Sequence, residues 1–471
     1  MIRLFKQHYR VPFLILGATE ALVFISTVYA ASSLYRLYEQ AGIQETTATD
    51  SDHLLLLALT FCIVMSVSLF SMGLYSTNHL QLSAAGILLR ESASYVLGTA
   101  VLTLLFYLVP ELYLNRAEFL LSLAISFSLI IALRLVFIDI VDTNRLKRKI
   151  LVYGSGRNAS HIAEFIEDPA LRPGVKVVAF IHAQGDHDTV DPRMIKTIRG
   201  RLAKFAQRRR VSDIVVAVDH RRGNLQTEQL LECRLRGINV IELPSFFERE
   251  TKKVRLDLIT PGWMIYSDGF KHGTMRDGIK KGFDIGVSLM LLLLTWPVMI
   301  LTAVAILLES GWGSSILYRQ IRIGKAQHPF AILKFRSMIG NAEQEGKARW
   351  ARQNDDRITR VGAVIRKFRI DELPQLFNVL RGEMSFVGPR PERPEFVEQL
   401  SLEIPYYLKR HYVKPGITGW AQLKYPYGNS KEDAREKLQY DLYYAKNYTL
   451  FFDLVILIQT VEVVLFGKGA R

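Results

Sequence analysis

At 471 residues the chain exceeds one ordinary domain, and it combines 49% hydrophobic with 22% charged residues, so apolar blocks must be segregated from charged ones. Lys and Arg number 60 against 45 Asp and Glu, a net charge of +15, which calls for nucleic acid, an anionic membrane surface or a phosphorylated substrate as partner. The two cysteines, Cys62 and Cys233, exclude a disulfide framework and suit a reducing cytosol around the soluble parts.

Four apolar runs have spanning length: about Val11–Leu34, His53–Tyr75, Ala93–Pro110 and Ala117–Val141. The first ends in Ala30-Ala31-Ser32-Ser33, small residues that suit cleavage, but the further runs behind it favour a retained anchor. Glu20 interrupts the first run, and Arg134 and Asp139 the fourth; polar residues at such depth belong in a bundle interior or at an interface. Arg3, Lys6 and Arg10 precede the first run, and Arg145, Lys147, Arg148 and Lys149 follow the fourth. Between the first two lie Glu39, Glu45, Asp50 and Asp52 with only Arg36. The positive-inside rule puts both ends of this bundle, and everything after it, in the cytoplasm.

From Lys147 to about Phe270 the pattern is α/β. Lys149–Tyr153 reads as a buried strand, followed by Gly154-Ser155-Gly156-Arg157-Asn158-Ala159 and a helix over His161–Ile166. Further strands are expected at Lys176–Phe180, Asp213–Val218 and Ile238–Leu243. The start is that of a nucleotide-binding βαβ unit, with phosphate expected at the helix N-terminus. Ala159 replaces the last glycine, and His182 stands where an acidic residue is expected after the second strand, so structural use of the domain without a cofactor is favoured. Thr251–Phe270, with Pro261-Gly262-Trp263, reads as a connector.

A fifth apolar run, Phe283–Leu308, carries Pro297 near its middle. Basic residues flank both ends: Arg276, Lys280 and Lys281 before it, Arg319, Arg322 and Lys325 after it. A helix broken at Pro297 that enters one leaflet and returns satisfies both flanks, and a plain kinked crossing is the competing path. Asp284 is expected to cap this helix.

Beyond it, Tyr318–Gly324 and Phe330–Ser337 read as strands, followed by Asp355-Asp356-Arg357-Ile358-Thr359-Arg360-Val361-Gly362. Next comes Asp371-Glu372-Leu373-Pro374, then Gly388-Pro389-Arg390-Pro391 with Arg393, and Lys414-Pro415-Gly416-Ile417-Thr418-Gly419-Trp420. A carboxylate pair before a helix commonly caps the first amides. Facing clustered guanidinium groups, the same pair supplies what phosphate chemistry needs: a nucleophile or metal ligand, and cations for phosphoryl oxygens. The apolar tail Leu450–Phe466 contains Asp453, Gln459 and Glu462, so it is expected to pack or lie at an interface.

These segments, over about Lys280–Lys468, resemble the bacterial sugar transferase family, the monotopic polyprenyl-phosphate phosphoglycosyl transferases. With the upstream regions, the chain looks like the long-form members that prime exopolysaccharide or O-antigen synthesis. The resemblance implies three parts: a four-span α-helical bundle over 1–145, an α/β Rossmann-like domain over 146–270, and a mainly α-helical transferase domain over 271–471 with a re-entrant helix at 283–308. It implies a UDP-hexose donor with Mg²⁺, undecaprenyl phosphate as acceptor, and a place on the cytoplasmic face of the bacterial inner membrane among its lipids. Asp371 would attack the phosphorus bearing the sugar and release UMP, with Glu372 a ligand of Mg²⁺. Lys334, Arg336, Arg390 and Arg393 are the phosphate-binding candidates, with Arg357 and Arg360 behind them, and Asp441 a pocket candidate. Glucose or galactose is the expected sugar, with N-acetylated sugars open, and so is a homodimer. Lys281 stands where members commonly carry arginine, which loses a planar fork there.

Two other classes compete. A membrane-tethered NAD-dependent nucleotide-sugar oxidoreductase would use Gly154–Ala159; resemblance to the short-chain type then requires a tyrosine with a lysine four residues on, yet after Tyr266 that position is Phe270. An inactive polysaccharide-assembly scaffold is opposed by the intact Asp371-Glu372 pair. Nucleic acid is disfavoured as a partner, because the basic residues flank apolar helices and interleave with the phosphate motifs.

Overall fold

The computed structural model describes residues 2–4, 7–9, 11–41, 51–72, 74–75, 84–142, 147–168, 174–183, 185–198, 201–219, 226–267, 269–270, 273–311, 313–339, 357–425, 428 and 430–465. Lys6, Arg10, Glu45, Asp50, Arg145, Asp355, Asp356 and Phe466 lie outside them. The chain divides into two compact units, Met1–Leu4 with His8–Thr251 and Phe5–Gln7 with Lys252–Arg471.

Short strands Ile2–Leu4 (β1) and Gln7–Tyr9 (β2) precede four long helices, Val11–Ala41 (α1), Ser51–Ser71 (α2), Ala84–Leu108 (α3) and Arg116–Asp142 (α4). Each is long and apolar enough to cross a membrane, and α3 begins nine residues before the expected run because Ala84–Ser92 continues the helical pattern in less apolar residues. Phe24, Phe61, Met65, Leu69, Leu102 and Ile130 form the core between them. Glu20 and Arg134 are fully buried and ion-paired at 2.7 Å, as expected of polar residues in a bundle interior. The Tyr75 hydroxyl donates to Glu20, and Arg134 Nη1 donates to the Leu74 carbonyl at 3.3 Å.

The rest of this unit alternates strand and helix: Arg148–Tyr153 (β3), Arg157–Glu167 (α5), Val175–Ile181 (β4), Ile195–Lys196 (β5), Leu202–Arg208 (α6), Asp213–Val216 (β6), Thr227–Leu235 (α7), Asn239–Glu242 (β7) and Leu243–Thr251 (α8). The strands pair in parallel in the order β5-β4-β3-β6-β7. That order reverses at β3, as it does in doubly wound nucleotide-binding sheets, which places the β3–α5 loop at the switch point. β5 is the strand the sequence does not announce, being two residues long. At the sheet's other end, Asp213 accepts from Arg148 at 2.9 Å and Arg249 at 3.0 Å, and both arginines also meet Glu250.

The second unit begins at Lys252, so the expected connector packs as part of it. Thr260 caps a short helix, Pro261–Tyr266 (α9). Trp420 Nε1 donates to the Lys252 carbonyl at 2.9 Å, and Lys446 lies 4.0 Å over the Trp263 ring. Thr274–Ser310 (α10) follows, 37 residues long, and it continues through Pro297. A helix of that length runs about 56 Å. Helical backbone is thus continuous across Pro297, which a bend there allows, because one missing N–H leaves most of the ladder intact. Asp284 does not cap α10, which starts well before it; buried, it accepts from Ser385 Oγ and Phe386 N, each at 3.1 Å.

Leu317–Ile323 (β8) and Pro329–Phe335 (β9) form an antiparallel hairpin. Arg360–Lys367 (α11) and Gln375–Leu380 (α12) follow, then Ser385–Val387 (β10), Pro394–Glu403 (α13), Gly416–Thr418 (β11), Trp420–Lys424 (α14), Lys431–Asn447 (α15) and Leu450–Leu465 (α16). β10 and β11 pair in parallel at glycine-only distance: a Cβ on Gly416 would sit 2.0 Å from Gly388 N. Gly416 and Gly419 thus serve close backbone packing. The start of α16 is packed, with Phe452 and Ile456 buried and Asp453 taking Lys280 Nζ at 2.5 Å.

Candidate functional site

β9 and α12 carry the two halves of the site, and Asn378 locks one to the other. Its buried amide accepts from Leu333 N at 3.0 Å and donates to the Ala331 carbonyl at 2.8 Å and to Glu383 at 2.7 Å. Lys334, between those β9 residues and the strand's end, thereby faces the tight turn Ile370–Glu372 that leads into α12. Arg369 enters that turn in the left-handed region, φ 59°. Neither carboxylate caps α12: the helix starts at Pro374 with no side-chain cap.

Instead, one oxygen of Glu372 gathers three cations. Lys334 Nζ lies 3.1 Å, Arg390 Nη2 3.3 Å and Arg369 Nη1 3.6 Å from Oε1. Burial alone would raise the Glu372 carboxyl, but Lys334, Arg390 and Arg369 outweigh it and hold it well below the usual range. Asp371 is different. It is 8% exposed, and its Oδ1 is buried without a hydrogen-bond partner. Burial raises its carboxyl above the ordinary value, against the pull of Lys334 and with the push of Glu372. Such an oxygen is underbonded and flanked by cations, the condition of an attacking carboxylate beside a seat for phosphoryl oxygens.

Arg390 is brought to the pair, its Nη1 also donating to Gln422 at 3.2 Å. Arg336 is not among the cations on Glu372; its Nε donates to the Met338 carbonyl at 3.2 Å. Arg393 starts α13, and its charge acts with that of Arg390 on Arg322. Arg360 starts α11, where Glu309 accepts from its N–H at 2.7 Å. Asp441 does not meet the pair: at 2% exposure its carboxylate meets Arg410 Nη2 at 2.7 Å, and burial pushes its carboxyl up to about 6 against the pull of Arg410. Asn378, Arg410 and Gln422 escape sequence reading because their roles depend on partners distant in the chain. Only Arg369, three residues before Glu372, is near enough in sequence to have been found.

Among the described residues no group of three or more His, Cys, Asp or Glu side chains converges on one point. The unpartnered Asp371 oxygen beside Glu372 nevertheless fits Mg²⁺ delivered by phosphates, since that ion takes one or two carboxylates and completes its sphere with phosphate and water.

The glycine loop of the first unit is already filled from within. The Asp219 carboxylate accepts from Arg157 N at 2.9 Å and Asn158 N at 2.8 Å, at the start of α5. Asp186 accepts from Ser155 N and Asp219 N, each at 3.0 Å, and His182 pairs with Asp188 at 2.9 Å. The amides that would hold a dinucleotide's phosphates carry aspartates, and the nicotinamide reading loses its anchor.

The sequence model for bacterial sugar transferases matches residues 275–467. An N-acetylgalactosaminephosphotransferase of Aeromonas hydrophila, acting between UDP-N-acetylgalactosamine and undecaprenyl phosphate by its name, is 43% identical over 51% of this chain and 56% of its own length. The undecaprenyl-phosphate glucose phosphotransferase of Komagataeibacter xylinus is 32% identical over 70% of this chain and 61% of its own. This chain thus spans less than two thirds of either relative. The undecaprenyl-phosphate galactose phosphotransferase of Salmonella typhimurium is 30% identical over 69% of each chain. With the matched region enclosing Asp371, Glu372 and the cations around them, the chain belongs to the bacterial sugar transferase family.

Proposed function

We propose that the protein transfers a hexose 1-phosphate from a UDP-hexose to undecaprenyl phosphate at the cytoplasmic face of the bacterial inner membrane, initiating an exopolysaccharide or O-antigen repeat unit. The unpartnered Oδ1 of Asp371 carries this reading. It attacks the phosphorus bearing the sugar, the bond to UMP breaks, and the sugar phosphate remains on Asp371 as an acyl phosphate. A phosphate oxygen of the lipid then attacks the same phosphorus, the aspartyl bond breaks, and undecaprenyl-diphospho-hexose leaves. Dividing the transfer lets a soluble nucleotide and a membrane lipid use the site in turn. Lys334 and Arg390 hold phosphoryl oxygens, and Arg369 keeps Glu372 ionised. Mg²⁺, when bound, offsets the repulsion between diphosphate and carboxylate, and Glu372 is the carboxylate left to hold it while Asp371 reacts. Arg336 and Arg393 extend the cationic rim.

α10 suits the membrane side of this reaction. Its first turns are tied to β10 and α16 through Asp284 and Lys280, while Leu293, Leu294, Trp296, Leu301 and Leu308 beyond them are more than half exposed. We take it to enter one leaflet and return, bending at Pro297, with the four-span bundle as anchor and the Rossmann-like domain as a structural module.

The test is UMP release by purified protein with Mg²⁺ and undecaprenyl phosphate, across UDP-glucose, UDP-galactose and their N-acetylated forms. The relatives' names span glucose, galactose and N-acetylgalactosamine, so those donors lead the panel. Release from one donor, reduced at least 100-fold in Asp371→Asn, is the expected result; full release by the variant would remove Asp371 as nucleophile.

A further inference from the structure

The turn that carries Arg390 is held at four successive carbonyls of its own, each accepting from a donor elsewhere in the chain. Gly416 N donates to Pro389 O at 2.9 Å, Arg410 Nη2 to Arg390 O at 3.0 Å, Arg322 Nη1 to Pro391 O at 3.2 Å, and Ile323 N to Glu392 O at 2.9 Å. Two of these donors are backbone amides that β8 and β11 supply through their position. The other two are arginine side chains, a costly way to hold a loop unless its placement matters.

Arg410 is the more deeply committed. It is 6% exposed, its Nη1 donates to the Tyr407 hydroxyl at 2.7 Å, and Asp441 balances its charge at 2.7 Å. Asp441 comes from α15 and Arg410 from the turn Tyr407–Tyr412, so one element steadies the side chain by which the other reaches the Arg390 carbonyl. On the far side of that residue, the Arg390 guanidinium reaches Glu372 at 3.3 Å. A planar fork can meet a carboxylate, a hydroxyl and a carbonyl at once; an ammonium cannot reproduce the directions.

We infer that Arg410, balanced by Asp441, is a positioning residue that sets the Arg390 guanidinium at the phosphate seat beside Asp371 and Glu372. This rests on the transfer reading above. It also gives Asp441 a role without contact to substrate. Displacement of a charged group by about 1 Å at a reacting centre costs on the order of 100-fold in rate, so losing the grip on Arg390 O is a kinetic defect before it is a folding one.

A double-mutant cycle on the full-length protein decides the matter. Arg410→Lys, Arg390→Lys and the double variant are compared by kcat/KM for the donor, with Asp371→Asn as the dead reference and thermal unfolding as the folding control. Arg410→Lys is expected to lose about 10- to 100-fold, and Arg390→Lys at least as much. The double variant should then fall within about threefold of Arg390→Lys, because Arg410 acts only through Arg390. Losses that multiply would overturn the inference, as would full activity of either single variant. If Arg410→Lys does not fold, Asp441→Asn replaces it in the same cycle with the same expectation. Activity in Asp371→Asn would instead sink the transfer reading itself.

Discussion

Arg369 shows how the carboxylate pair is held. A non-glycine residue at φ 59° costs on the order of 1–2 kcal/mol, and here it turns the chain so that Asp371 and Glu372 face Lys334 instead of the first amides of α12. Strain of this kind persists where the surroundings over-determine it, here through the Arg369–Glu372 contact at 3.6 Å. Asp213 illustrates charge used for stability alone. Burial would raise its carboxyl, but Arg249, Arg148 and Ser212 outweigh that and hold it below its ordinary value. A depressed carboxyl contributes fully above its unfolded pKa, and the contribution disappears as pH falls through the folded one. Asp213→Asn should therefore destabilise the protein by about 3 kcal/mol at neutral pH, leaving two half-buried arginines with one glutamate between them. Thermal unfolding followed from pH 7 to pH 3 should also show a shallower acid decline than the parent; equal slopes would mean that Asp213 does not govern it.

Among the elements, α5 presents an N-terminus whose anion is built in. Asp219 reaches it from the end of β6, some sixty residues along the chain, and serves as a cap contributing about 1 kcal/mol. NAD and UDP should leave the unfolding temperature of the first unit unchanged in the parent protein. Asp219→Ala should lower it and make it responsive to added inorganic phosphate. A clear stabilisation of the parent by NAD would show that the aspartate yields to a dinucleotide. α10 and β9 divide labour in the second unit: Asp284 and Lys280 fasten the helix to β10 and α16, while Asn378 fastens the strand to α12. Each fastening buries a polar side chain with partners, which fixes register more sharply than apolar packing would.

For the whole molecule the decisive question is where the two ends of α10 lie. Straight, its 37 residues would run about 56 Å, well beyond a hydrocarbon core of about 30 Å, and Glu309 at its end caps α11, the helix that precedes the Asp371 turn. A re-entrant path keeps both ends on the catalytic side. Cysteines placed at Thr274 and Ser310, with Cys62 and Cys233 replaced, should both react with an impermeant maleimide in inside-out vesicles and neither in right-side-out ones. Labelling of Ser310→Cys from the outside alone would establish a crossing.

Much of this was legible in sequence. The four apolar helices, the alternation of strand and helix after Lys147, and the strands β8 and β9 follow from hydrophobic length and period, which act locally. Asp371, Glu372, Lys334 and Arg390 were legible as residue types in ordered motifs. What tertiary structure alone decided is which charges meet. Glu372 rather than Asp371 collects the cations, Asp219 fills the glycine loop, Asp284 ties a strand instead of capping a helix, and Asp441 supports Arg410 from behind. A side chain's spacing sets the face of the element it occupies, but its energy depends on partners tens to hundreds of residues away and on the water excluded between them. Those are properties of the packed chain.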